Sequence, residues 1–265
     1  MLRTIFLEVT AVVATFCVVG AVTLVGRDRL AALRTELQPR LRDSAPYLAV
    51  LIVVLVLNSL IRDSAQELSW QIGFEITYLL AAYDAGVVAA IQSIESQAAT
   101  AYFSSIYVYG YVFLLIFPIL AYVSLSDRKP FQRLVVAYSL NYFLGLTLYI
   151  LFIAYGPRNW DPTLYQNFLY DWVVTSSGTS NEYLTSEVNS RTNVFPSLHT
   201  SLSATVTLFA YKTRDAYPIW FGIAIVLAAS IIVSTMYLGI HWAVDILFGL
   251  GLAGISVYVA ERYVE

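Results

Sequence analysis

The sequence predicts an all-α integral membrane protein of about seven transmembrane helices, with amphipathic helices on its outer face. Three observations predict it. Of 265 residues, 58% are hydrophobic and only 12% charged, about half the charge of an ordinary soluble domain. Uncharged apolar runs at 9–25, 47–61, 106–123, 134–154 and 219–233 approach or reach the roughly 20 residues that cross a bilayer. Lysine and arginine are also divided unevenly between alternate loops, as in membrane proteins of fixed orientation.

Spans are placed near 4–25, 45–61, 103–123, 132–154, 199–211, 218–238 and 243–260. The first run also reads as a cleaved signal peptide. Its apolar stretch is long for one, no small-x-small site ends it, and its positive charge follows it, so a retained helix is expected. The single cysteine, Cys17, lies inside this run and reads as a packing residue. Segment 26–44 has Arg, Leu and Ala at helical spacing, which predicts a short helix on the cytoplasmic leaflet with its arginines toward the headgroups.

Segment 62–102 interleaves Trp70, Phe74, Ile76, Tyr78, Leu79 and Leu80 with Glu67, Glu75, Asp84 and Glu95. That mixture predicts amphipathic outer helices or a packed lid. Reading 76–92 as an eighth, polar span would put the arginine-rich 26–44 loop outside, against the positive-inside rule. Segment 155–198 is rich in Asn, Ser, Thr, Gly and Tyr and reads as a loop.

With seven spans, eleven basic residues fall on one side: Arg27, Arg29, Arg34, Arg40, Arg42, Arg128, Lys129, Arg133, Lys212, Arg214 and Arg262. Only Arg3, Arg62, Arg158 and Arg191 fall on the other. The expected orientation is therefore N-terminus outside and C-terminus cytoplasmic, in a multi-pass cell-membrane protein. With a net charge of −3, nothing suggests a nucleic-acid partner.

The chain has two histidines, His199 and His241, both at the outer face in this topology. Ionisable groups at such positions point to function. Phe195-Pro196-Ser197-Leu198-His199 reads as a helix start with Ser197 as N-cap. Free amides and the helix dipole make such an end an anion site. The same string also reads as an ordinary cap with an incidental histidine. In Tyr237-Leu238-Gly239-Ile240-His241-Trp242-Ala243-Val244-Asp245, His241 and Asp245 are spaced i, i+4 and share a helix face. Asp245 is then placed to fix the tautomer of His241 and raise the basicity of its other nitrogen; a structural His–Asp pair joining two spans is the competing reading.

Pro-Ser-x-His at one helix start, followed by His-x-x-x-Asp at the start of the second helix after it, resembles the type 2 phosphatidic acid phosphatase superfamily of membrane lipid phosphatases and phosphotransferases. The resemblance covers roughly residues 105–260, dividing the chain into an N-terminal transmembrane and outer region, 1–102, and a phosphatase-like transmembrane core, 103–265; it implies a six-helix core with one extra helix, the N-terminal one. It implies a mechanism without metal or cofactor: His241 attacks phosphorus, Asp245 orients it, and His199 protonates the leaving alkoxide. The chain departs from the phosphatase pattern at three places. It has no Lys-x6-Arg-Pro string, Leu198 stands where glycine is usual, and Ser234-Thr235 occupies the Ser-Arg frame. Pro-Ser-Leu-His, Thr-Met-Tyr-Leu and the Pro157-Arg158 string are closer to the branch containing the aureobasidin-sensitive inositol phosphorylceramide synthases, which transfer phosphoalcohol headgroups between lipids.

With the usual arginines missing, phosphate charge has to be met by others. Arg158 matches the Pro-Arg string, Arg191 is the other basic residue of the active-site loop, and both suit bidentate phosphate contacts. Asn193, Tyr237 and Asp161 lie within reach without being compelled. The expected donor is a lipid phosphate or phospholipid, and the acceptor a lipid or polar-alcohol hydroxyl, or water. A lipid phosphate phosphatase is the runner-up. A zinc hydrolase using His199, His241 and Asp245, or a transporter built around Asn141, Gly145 and Thr147, are the competing classes.

Overall fold

The computed structural model describes residues 2–84, 86–168 and 194–264. Arg191 and Asn193 lie outside the described residues. The structure is helical almost throughout, and its elements follow from local sequence. Helix α1 (Leu2–Gly20) continues through a π-helical turn, Ala21–Val25, and ends at Gly26. The φ of +88° at Gly26 is one that glycine adopts without a steric cost. Helix α2 (Arg27–Asp43) meets α3 (Ala45–Ile72) at Ser44, with Pro46 in the first turn of α3, where its missing amide costs nothing.

The outer segment then forms β1 (Phe74–Glu75), α4 (Thr77–Asp84) and α5 (Val87–Gln92). Ser96 caps α6 (Gln97–Ser105) by accepting from the Ala99 amide, and α6 runs through a π-helical turn into α7 (Tyr111–Val123). Helix α8 (Lys129–Leu151) leads into β2 (Phe152–Ile153) and α9 (Pro157–Trp160). The remaining helices are α10 (Leu198–Lys212), α11 (Pro218–Tyr237) and α12 (Ala243–Tyr263).

Among the described residues, five helical runs are long and apolar enough to cross a membrane: Phe6–Val25, Gln97–Val123, Lys129–Leu151, Pro218–Tyr237 and Ala243–Tyr263. Helix α2 and Ala45–Ile61, bent by 70°, make a sixth candidate as a pair. The protein is thus an all-α, multi-pass membrane protein. The fifth expected span, 199–211, is met by α10, which has only 15 residues. At 1.5 Å per residue it reaches about 22 Å, short of the roughly 30 Å hydrocarbon core. It packs against α7, α8, α11 and α12, and Thr200, Ser201, Ser203 and Thr205 are buried with its apolar residues. A helix enclosed by other helices need not match the bilayer.

Residues 76–92 form two helices of eight and six residues, separated by a turn at Gly86 with φ +80°, and no eighth span. The main core joins Phe117, Tyr122, Leu134, Leu202, Phe209 and Trp220. Val50, Ile52, Leu247, Phe248 and Ile255 are exposed, as suits faces that lipid rather than water covers.

The four basic segments meet at one end of the bundle. Arg40 donates to the Val123 and Leu125 carbonyls, Arg29 to Ala216, and Arg133 to Val264. Lys212 pairs with Glu261, and Arg128 with Asp43. Helix α2 is therefore fastened by two of its arginines, Arg29 and Arg40, and does not turn all of them toward headgroups.

The polar cluster in α8 holds helices together. Asn141 Nδ2 donates to Ala137 and Thr205, and its Oδ1 accepts from Ser201. Gly145 admits Leu198, since a Cβ there would stand 2.6 Å from Leu198 Cδ2.

Candidate active site

The two histidine motifs converge at the end of the bundle opposite the basic segments. Ser197 caps α10 as expected, its Oγ accepting from the Thr200 amide at 3.3 Å. Its own amide donates to the Asp245 carbonyl at 3.1 Å, so the start of α10 is tied to the first turn of α12. Gly249 allows this approach, because a Cβ there would meet the Ser197 carbonyl at 2.6 Å. His199 lies in the first turn of α10, its ring against Tyr107 and Tyr111 at 4.8 and 4.6 Å.

His241 sits in the tight turn between α11 and α12. Gly239 takes φ +65° there, and the Ile240 and His241 amides both donate to the Thr235 carbonyl. The His199 and His241 ring centroids are 5.7 Å apart. Asp245 Oδ2 is 3.4 Å from His241 Nδ1, beyond ordinary hydrogen-bond length, and it accepts from the Trp242 amide at 2.8 Å. Neither His241 Nδ1 nor Asp245 Oδ1 has a hydrogen-bond partner among the described residues. Asp245 thus caps its own helix while facing the imidazole. Catalytic hydrogen bonds are often long in empty sites and tighten when substrate binds.

Burial holds the His241 imidazole down at a pKa of about 3; a hydrogen bond from the ring to the Val194 carbonyl opposes this, and the positive charge of Arg158 adds to it. His241 is therefore neutral at physiological pH, the state a nitrogen nucleophile needs.

Arg158 is buried beside this turn. Its amide donates to the Gly239 carbonyl at 3.1 Å, and its Nη1 donates to Asn167 Oδ1 at 3.0 Å and to the Leu238 carbonyl at 3.4 Å. Gly156 lets the Pro157-Arg158 string approach, since a side chain there would run into the Ile240 carbonyl. The structure therefore brings together His199, His241, Asp245, Ser197 and Arg158. Arg191 falls outside the described residues.

Two other residues within reach have different work. Asp161 Oδ1 accepts from the Thr163 and Leu164 amides and the Thr163 hydroxyl, closing a surface turn. Tyr237 is fully buried, its ring between Phe103 and Phe168 and its hydroxyl on Thr100. As to zinc, no group of three His, Cys, Asp or Glu side chains that could hold a metal ion occurs among the described residues.

The sequence reading missed how the outer segment grips this site. Strand β1 pairs in parallel with β2, just ahead of Arg158. Thr77 Oγ1 accepts from the Tyr155 amide at 3.0 Å, and Asp84 Oδ1 accepts from the Ala243 amide at 3.0 Å. Gln92 donates to the Tyr237 and Gln166 carbonyls. Asp84 was legible only as one acid in an amphipathic stretch, because pairs separated by 159 residues leave no local pattern.

An apolar groove of about 880 Å³ opens beside the site. Phe195, Pro196 and Val244 line its inner end, and Leu79, Leu247 and Ile255 lie farther out.

Among known protein families, the one described as the PAP2 superfamily matches residues 75–259. The match begins inside the outer segment, upstream of the boundary at residue 103 expected from the motifs. Comparison with curated proteins and with solved structures returned no match.

Proposed function

The chain belongs to the PAP2 superfamily, and from that premise we propose that it transfers a phosphoryl or phosphoalcohol headgroup on lipids through a phosphohistidine, in the manner of an inositolphosphotransferase. The observation that carries the reading is the convergence of a buried, neutral His241 with Asp245, His199 and Arg158. Superfamily membership supports the coarser statement, a lipid phosphatase or phosphotransferase.

In the proposed reaction the proton that His241 holds on Nε2, toward the Val194 carbonyl, moves to Nδ1, facing Asp245, and Nε2 then attacks phosphorus. The bond from phosphorus to the leaving alkoxide breaks as His199, protonated once phosphate charge lies beside it, supplies its proton. An acceptor hydroxyl then gives its proton to His199 and attacks the phosphohistidine, which frees His241. Arg158, Ser197 with the amides of α10, and Arg191 meet the phosphate charge. The groove takes hydrocarbon, since among the described residues Tyr83 brings the only side-chain polar atom to its lining. We place the site on the extracytoplasmic side, with the N-terminus outside and the C-terminus in the cytoplasm, on the charge asymmetry and the gathering of the basic segments at the opposite end.

Hydrolysis is the same chemistry with water as acceptor. Leu198, packed on Gly145, and the tyrosines around His199 favour transfer because they exclude water. The test is a panel of lipid phosphates and phospholipids given to wild type and His241→Ala. A new phospholipid formed beside a displaced one is the expected result, lost in the variant. Free phosphate alone would make the protein a phosphatase, and no product from any donor would sink the reading.

A further inference from the structure

Asp84 is fully buried, and no step above uses it. It ends α4 against the turn that carries His241. Its Oδ1 accepts from the Ala243 amide at 3.0 Å and its Oδ2 from the Val88 amide at 3.1 Å. The adjoining Trp242 amide goes to Asp245 Oδ2 at 2.8 Å. Two consecutive amides, immediately after His241, therefore end on two different carboxylates, one local and one from the outer segment.

Starting α12 does not require this. A helix N-terminus is served by one capping side chain, which Asp245 already provides. A second buried carboxylate adds desolvation and like-charge repulsion. The rest of the outer segment holds α4 in place through β1, Thr77 and Gln92. Among these contacts, Asp84 is the one that reaches the start of α12.

We propose that Asp84 is a positioning residue for phosphoryl transfer. It fixes the backbone that carries His241 and, with Asp245, sets a second negative charge behind the imidazole as positive charge builds there during attack. The proposal rests on the reading of His241 as the nucleophile. Its effect belongs to the transition state, so it is read by a five-coordinate mimic and spares a ground-state anion.

The test uses the full chain in detergent micelles and measures binding of vanadate and of inorganic phosphate. Asp84→Asn keeps the volume but removes the charge and one acceptor. Ala243→Pro removes the donor instead: it places proline at the first position of α12, and Trp242 already has the extended φ of −77° and ψ of 157° that a residue before proline prefers. Each variant is expected to weaken vanadate about tenfold or more while phosphate affinity is unchanged. Ser96→Ala, which uncaps α6 in the same segment, should leave both affinities intact. Wild-type vanadate affinity in either site variant, parallel loss of vanadate and phosphate, or an equal vanadate loss in Ser96→Ala would overturn the role of Asp84. The nucleophile reading fails separately if wild type does not bind vanadate, or if His241→Ala binds it as wild type does.

Discussion

At the scale of single residues, His241 is governed by what surrounds it. Burial, with Arg158 nearby, lowers its pKa from 6.5 to about 3. As pH falls the unfolded chain takes up this proton first. The contribution to stability is therefore complete above about pH 6.5 and is lost as pH falls from there toward 3. The thermal midpoint in detergent should drop between about pH 7 and pH 5, and His241→Gln should narrow that drop. An unchanged drop in the variant would assign the effect to other groups. Asp245 serves two masters, since the oxygen 3.4 Å from His241 is the one that accepts from the Trp242 amide.

At the scale of elements, α10 and α8 meet through a fitted pair. Leu198 occupies the space that Gly145 leaves, at the point where His199 enters its helix. Gly145→Ala should destabilise the protein by about 1–3 kcal/mol and lower turnover by shifting His199. Adding Leu198→Ala should restore most of both, as a double-mutant cycle in chemical denaturation and activity would show. Additive losses would mean the two residues do not act on each other. The groove makes a second claim on this scale. A side chain at Gly251, on its wall, would meet nothing within 4 Å, so Gly251→Trp fills the groove without straining α12. The variant should lose turnover of long-chain donors and keep that of a short-chain, water-soluble analogue. Equal loss on both would remove the groove from substrate binding.

At the scale of the whole molecule, two ends of one bundle carry opposite characters, basic at α2, α8 and the C-terminus, and chemical at the starts of α10 and α12. In a Cys17→Ala background, Glu95→Cys should react with a membrane-impermeant maleimide on intact cells, and Ser126→Cys should react only after lysis. The reverse pattern would invert the proposed orientation. Membrane embedding was legible from composition alone, because a helix that crosses hydrocarbon needs a long uncharged apolar run. The nearness of His241 and Asp245 was legible from their four-residue spacing, although His241 lies in the turn ahead of α12 and not on its face. By itself the sequence thus determined the membrane class, the two histidine motifs and the uneven distribution of charge, all of which are written in runs and spacings along the chain. The tertiary structure alone decided that α10 is a short helix enclosed by others, that Arg158 packs under the His241 turn, and that the outer segment reaches the site through Asp84. Those depend on which distant backbones come within hydrogen-bonding distance, and no local pattern encodes a contact across 159 residues.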